Sequence, residues 1–152
     1  MSSACAPNGA RRGLIVDSAL VSAKLEALRF VLGRVRDHTP VDAQGLATDI
    51  DAQDIVSLNL QRAVQLCVDI AYHLVASTPG QMEPLTMADA FVAMRNTGLI
   101  DAALAESLRR AVGFRNIAVH QYEHMDWNIV HEVATEGIAD LETFARLVAA
   151  RL

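Results

Sequence analysis

The chain has 152 residues, 52% of them hydrophobic, enough for one domain with a proper buried core. Ala, Leu and Val dominate, while Gly (8), Pro (4) and aromatics (5%) are scarce, which favours helices over a sandwich or barrel. A formal net charge of -5 argues against sequence-independent duplex binding, though not against a small local basic site.

Residues 1–13 are small, polar and punctuated by Gly and Pro, and read as a disordered tail. Residues 14–152 read as a single domain. A first helix is expected from Val16 to Arg36, because Leu20, Val21, Leu25, Leu28, Val31, Leu32 and Val35 recur at helical spacing. Thr39-Pro40 stops it, and residues 38–48 read as a loop. A second helix covers Asp51 to Ala76. Apolar residues surround so much of it that it should be largely buried. Thr86 and Asp89 form a capping arrangement for a short helix reaching Arg95, closed by Asn96-Thr97-Gly98. Asp101 caps a fourth helix carrying Leu104, Leu108, Val112 and Val119. A break follows at Glu123 to Met125, and Asp126 caps a last helix to Leu152. Four long helices and a short one imply an all-α antiparallel bundle.

The first residues lack the apolar core of a signal peptide, and no run approaches the roughly 18 apolar residues of a membrane span. Cys5 and Cys67 make no disulfide framework, which suits a reducing compartment. A cytoplasmic protein without membrane contact is expected. Of the 13 basic residues, only Lys24 is lysine. Arginine suits bidentate phosphate binding, although a compositional bias is the simpler explanation of the excess.

The most informative segment lies late in the fourth helix, at Arg115-Asn116-Ile117-Ala118-Val119-His120-Gln121-Tyr122. At about 100° per residue, Leu108, Val112 and Val119 fall within about 80° of Leu104, and Arg115 and Tyr122 lie in the same apolar sector. A guanidinium there is costly unless it meets an anion or an interface. Asn116 and His120 are four apart on a second stripe, where Asn116 could orient the imidazole. Arg115 and His120 are about 140° apart on a regular helix. They converge if the helix ends near His120, or if a twofold dimer joins two copies of it. The residue types suit phosphodiester cleavage without a metal or other cofactor. A neutral His can take a proton from a ribose 2′-hydroxyl, a charged His can protonate the leaving oxygen, and Arg can stabilise the phosphoryl charge.

This segment, with Asn59-Leu60-Gln61-Arg62-Ala63 and Asp69-Ile70-Ala71-Tyr72-His73-Leu74 earlier, resembles the HepT-type toxin ribonucleases of the HEPN superfamily. The resemblance spans about Val16 to Leu152. It implies a HEPN-like fold and a homodimer with the motif at the subunit cleft. It further implies the toxin of a type VII-like toxin–antitoxin system, a metal-independent endoribonuclease acting on RNA. Arg115 and His120 would be catalytic and Asn116 would support them. The implied partner is an MntA-type nucleotidyltransferase antitoxin that adds AMP to Tyr122, placing phosphate charge beside the catalytic cations. An alternative is a non-enzymatic helical substrate-binding or assembly subunit of a small nucleotidyltransferase. The complete Arg115–His120–Tyr122 set favours the toxin.

Asn59, Arg62, Asp69 and His73 form a polar seam on the second helix, with Asp69 and His73 at pairing distance. Arg62 and Asp69 are candidates for positioning the motif; a plain helix contact is the simpler reading. His120 and His124 have the spacing of helical zinc ligands, but the break between them and the lack of further ligands argue against a metal. Trp127 and Tyr72 could stack on a base or serve the core. Cys67 reads as a small buried hydrophobe.

Overall fold

A computed structural model describes residues 5–152, with side chains from residue 18 onward. The elements are α1 (Cys5–His38), α2 (Ala43–Ala47), α3 (Ile50–Ala76), α4 (Met87–Asn96) and α5 (Ala102–His120). A 3₁₀ turn (Tyr122–His124), α6 (Trp127–Glu132), a π turn (Val133–Gly137) and α7 (Ile138–Ala149) follow. No strand occurs among the described residues, so the all-α bundle is as expected. The tail read over residues 1–13 falls where side chains, and for residues 1–4 the backbone too, lie outside the described residues.

The third element carries the bundle. α3 packs against α1, α2, α4, α5 and α7. Val56, Leu60, Ala63, Val64, Cys67, Val68, Ile70, Ala71 and Val75 are all buried, on one side of the helix that takes up about half of its circumference. Its two buried polar side chains are satisfied along the helix itself. Asn59 donates to the Ile55 carbonyl at 2.7 Å, and Ser57 accepts from Gln61 at 3.2 Å. Cys67 lies fully buried among these groups, and burial pushes its thiol pKa up, as suits a passive filler.

Around α3 the apolar spacing of each neighbour explains its orientation. α1 buries Val21, Leu25, Leu28, Leu32 and Val35, one per turn. α7 buries Ile138, Leu141, Phe144, Ala145 and Val148. Phe144 meets Phe91 of α4 edge to face, with centroids 5.9 Å apart at 90°. No helix among the described residues is long and apolar enough to cross a membrane.

Besides the start of α1 at Cys5 in place of Val16, two features depart from the sequence reading. The expected loop at 38–48 contains α2, capped by Asp42, whose carboxylate accepts from Gly45 N–H at 2.7 Å. This turn exists to bury one side chain, Leu46, which is fully enclosed. The last helix is interrupted by the π turn, where one extra residue per ring resets the register between α6 and α7. Val130 and Ala134 on one side and Ile138 and Leu141 on the other thereby all reach the core.

The stop after α4 has a definite mechanism. Gly98 has φ +79°, its N–H donates to the Arg95 carbonyl, and Leu99 N–H donates to that of Met94. This is the paired-bond closure that a left-handed residue permits. A Cβ at Gly98 would meet no atom within 4 Å, so a substitution there is opposed by backbone conformation alone. Gly33 in α1 also has open space but a helical backbone. We therefore expect Gly98→Ala to lower stability by about 1 kcal/mol and Tm by about 2–4 °C. Gly33→Ala should raise stability by a smaller amount. Thermal melts of the two variants check the pair, and shifts of the same sign would contradict it.

Candidate active site at the end of α5

Asp101 starts α5 by accepting from Leu104 N–H at 2.8 Å. Leu104, Ala105, Leu108, Val112, Phe114 and Ala118 then face the core. The helix ends at His120, where Gln121 leaves helical geometry (φ −135°, ψ 41°) while its N–H still reaches the Ile117 carbonyl. The 3₁₀ turn follows at once, and Asp126 restarts the chain as α6 by accepting from Asn128 N–H at 2.9 Å. His120 and His124 therefore do not share a continuous helix.

Arg115 sits on the core-facing side of α5, as the helical geometry required. Its guanidinium is half-buried. Nη1 donates to Asn116 Oδ1 at 3.3 Å, while Nε is buried without a hydrogen-bond partner among the described residues. An enclosed donor with no acceptor costs about 1–3 kcal/mol, so it favours any acceptor that can reach it. Asn116 is thus engaged with Arg115. It makes no hydrogen bond to His120, contrary to the orienting contact expected from their spacing. His120 is exposed at the helix end.

Tyr122 is not carried on α5 at all. The 3₁₀ turn throws it sideways onto α3, where its hydroxyl donates to Asp54 Oδ1 at 2.6 Å. Its ring packs edge-on to Trp127, with centroids 6.0 Å apart. Partial burial, then the hydrogen bond to Asp54 and its negative charge, push the Tyr122 pKa up to about 12. Trp127 is therefore a packing partner of the motif tyrosine. Asp54 went unnoticed in the sequence. A carboxylate in the first turns of a helix is commonplace, and only the turn after His120 brings Tyr122 to it.

The two candidate positioning residues separate. Arg62 is exposed, two turns along α3 from Asp54 and on the same stripe. Asp69 instead meets Lys24 of α1 at 3.5 Å and Gln65 at 2.9 Å, and not His73. It ties α1 to α3 and makes no bond to the motif.

Two apolar side chains near this end of the molecule are exposed. Val119 lies on the same arc as Leu104, Leu108 and Val112, yet is 44% exposed. Leu58, between Asp54 and Arg62 on the α3 stripe, is 47% exposed. The core-facing side of α5 thus continues beyond the point where the chain's own helices cover it. On the opposite side of α5, a groove of about 850 Å³ runs to α6 and α7. Its lining has four carboxylates, Asp126, Glu132, Glu136 and Asp140, against Arg110 and His124, a balance that disfavours phosphate. The buried, unpartnered Nε of Arg115 lies outside this groove and is a donor that an anion could satisfy.

An all-helical bundle with Arg, Asn, His and Tyr gathered at the end of one late helix defines a HEPN-type domain. The family model described as Ribonuclease HepT-like matches residues 28–148, and the chain belongs to that family. It is similar to the mRNA nuclease HepT of Shewanella oneidensis, 36% identical over 110 residues that cover 72% of this chain and 81% of the relative. Its fold is similar to a toxin–antitoxin solved with AMP-PNP, with TM-score 0.80, 30% identity, and coverage of 87% of this chain and 98% of that one. It is also similar to the tri-AMPylated Shewanella oneidensis HEPN toxin in complex with MNT antitoxin, with TM-score 0.78, 31% identity, and coverage of 86% and 96%.

The contact between Tyr122 and Asp54 has a measurable signature. The chain has two tyrosines, so a Tyr72→Phe background isolates Tyr122 for ultraviolet titration. Its midpoint should stand at about 12 and fall toward the ordinary 10 in Asp54→Asn. Because the folded value is the higher, the stability linked to the buried, Asp54-bonded phenol is complete below about pH 10 and lost as pH rises through about 12. A midpoint indifferent to Asp54→Asn would show that the carboxylate does not hold the phenol.

Proposed function

We propose that the protein is the toxin of a toxin–antitoxin pair, a metal-independent endoribonuclease whose catalytic residues are Arg115 and His120. The observation that carries this reading is the half-buried Arg115 guanidinium, with an unsatisfied Nε, five residues before an exposed His at the helix end. Similarity to the mRNA nuclease HepT supports the same activity.

In the proposed reaction, neutral His120 removes the proton of a ribose 2′-hydroxyl. The 2′-oxygen attacks the adjacent phosphorus and the 5′-oxygen leaves. A second imidazole, protonated, supplies the proton that the leaving oxygen needs. The charge that builds on the phosphoryl oxygens falls to Arg115, whose planar fork matches them. Asn116 holds that fork through the 3.3 Å hydrogen bond to Nη1, so its role is to orient Arg115 and not the imidazole.

Two copies of His120 meet this need if the active species is a homodimer. The exposed Val119 and Leu58 beside the motif support that arrangement, since a second copy would cover them. The net acidity of the chain is compatible with RNA binding confined to such a cleft.

Control in this reading comes from a nucleotidyltransferase antitoxin of the MntA type that transfers AMP to Tyr122. Similarity to a tri-AMPylated toxin in complex with MNT antitoxin supports it. The 38% exposure of Tyr122 leaves the phenol accessible. The added phosphate would compete with RNA for Arg115 and His120.

Purified protein should cleave RNA in the presence of EDTA, as a dimer by light scattering. His120→Ala and Arg115→Ala should each lose about a hundredfold or more in rate. Equal cleavage by the wild type and His120→Ala would refute the catalytic assignment. Co-expression with the nucleotidyltransferase should raise the intact mass by AMP units in the wild type and not in Tyr122→Phe. Modification that survives in Tyr122→Phe would place the site elsewhere.

A further inference from the structure

RNA cleavage by Arg115 and His120 has no task for the carboxylate that holds Tyr122. Asp54 Oδ1 stands 2.6 Å from the phenolic oxygen. The carboxylate is exposed and forms no salt bridge among the described residues. A phenol is a weak nucleophile until it loses its proton. With its pKa pushed up to about 12, Tyr122 keeps its proton at neutral pH. Such a nucleophile needs a base within hydrogen-bond reach. Asp51 on α3, Arg115 and His120 on α5, Glu123 and His124 on the 3₁₀ turn and Asp126 before α6 are the other charged or titratable groups at this corner. None of them bonds the phenol; Asp54 does.

We propose that Asp54 is the proton acceptor when Tyr122 attacks a nucleoside triphosphate held by the partner transferase, an inference that rests on the modification proposed above. Tyr122 Oη forms a bond to the α-phosphorus. The bond from that phosphorus to the bridging oxygen breaks, and pyrophosphate leaves with its electron pair. The phenolic proton passes to Asp54 Oδ1 and then to solvent. The phenol becomes far more acidic as the new bond forms, so an ordinary carboxylate is a sufficient base. The product has no O–H left to donate to Asp54, and its phosphate is repelled by the same carboxylate. The modified ring is thereby released from α3, toward the cations of α5.

The test follows AMP transfer by intact mass, with the full chain, the MntA-type nucleotidyltransferase, ATP and magnesium. Wild type, Tyr122→Phe, Asp54→Asn and Asp54→Glu are compared across pH. AMP uptake by the wild type and none by Tyr122→Phe report on the modification itself. Asp54→Asn should slow transfer by about a hundredfold near neutral pH, and Asp54→Glu should recover part of the rate. The ratio of wild-type to Asp54→Asn rates should shrink about tenfold per pH unit as hydroxide replaces the lost base. The transferase's own pH dependence is common to both and cancels. A ratio near one throughout overturns the inference. A large ratio that stays level with pH also overturns it, since that marks a contact that only positions the ring. If the wild type takes up no AMP while Tyr122 is intact, the modification fails and the role of Asp54 falls with it.

Discussion

The structure depends on the burial of α3. Five other helices close around it and bury 12 of its 27 side chains. What escapes is a strip through Asp51, Asp54, Leu58 and Arg62. An α-helix exposes such a strip when its neighbours cover all but one sector, and residues four apart then line it. The chain uses this remaining sector to receive Tyr122. The same closure leaves the last turn of α5 uncovered, with Arg115 only half-enclosed and Val119 exposed. Packing at the centre therefore sets what is left open at the edge, and the candidate site is made of what is left open.

Within that site the helix end separates two roles. Residues up to His120 are held by α5 and move with the core. Tyr122 hangs on a single 3₁₀ turn, tied by one hydrogen bond and one ring contact. In the proposed function, an Arg and a His carried on one helix suit catalysis, which needs fixed geometry, and a tyrosine on a short turn suits the proposed control by a partner. The acidic groove behind α5 reinforces the division by discouraging phosphate on that side.

Much of this was legible in the residues, though unevenly. Capping signals were read directly: Thr86, Asp101 and Asp126 all accept from the backbone where their positions implied. The placing of Arg115 on an apolar arc followed from rotation alone, and so did the need for a partner to its guanidinium. The α2 turn was not legible, because five residues carry too little periodicity and its purpose is one buried leucine. Nor was the π turn, since a single inserted residue looks like ordinary scatter in an apolar pattern. The four-residue rule points Asn116 at His120, yet Arg115 lies next to it and has the longer reach. Asp69 was paired with His73 by the same rule, but the ammonium of Lys24 on another helix competes for it.

By itself the sequence determined the helical class, three of the caps, the motif and the place of Arg115 on an apolar arc, because these follow from composition and local rotation. It also carried the resemblance that the family match bears out. Only the tertiary structure decided that Tyr122 leaves α5 and meets Asp54, 68 residues earlier in the chain. No local rule can supply that pairing. It requires α5 to stop at His120, the following turn to point at α3, and α3 to have one sector free.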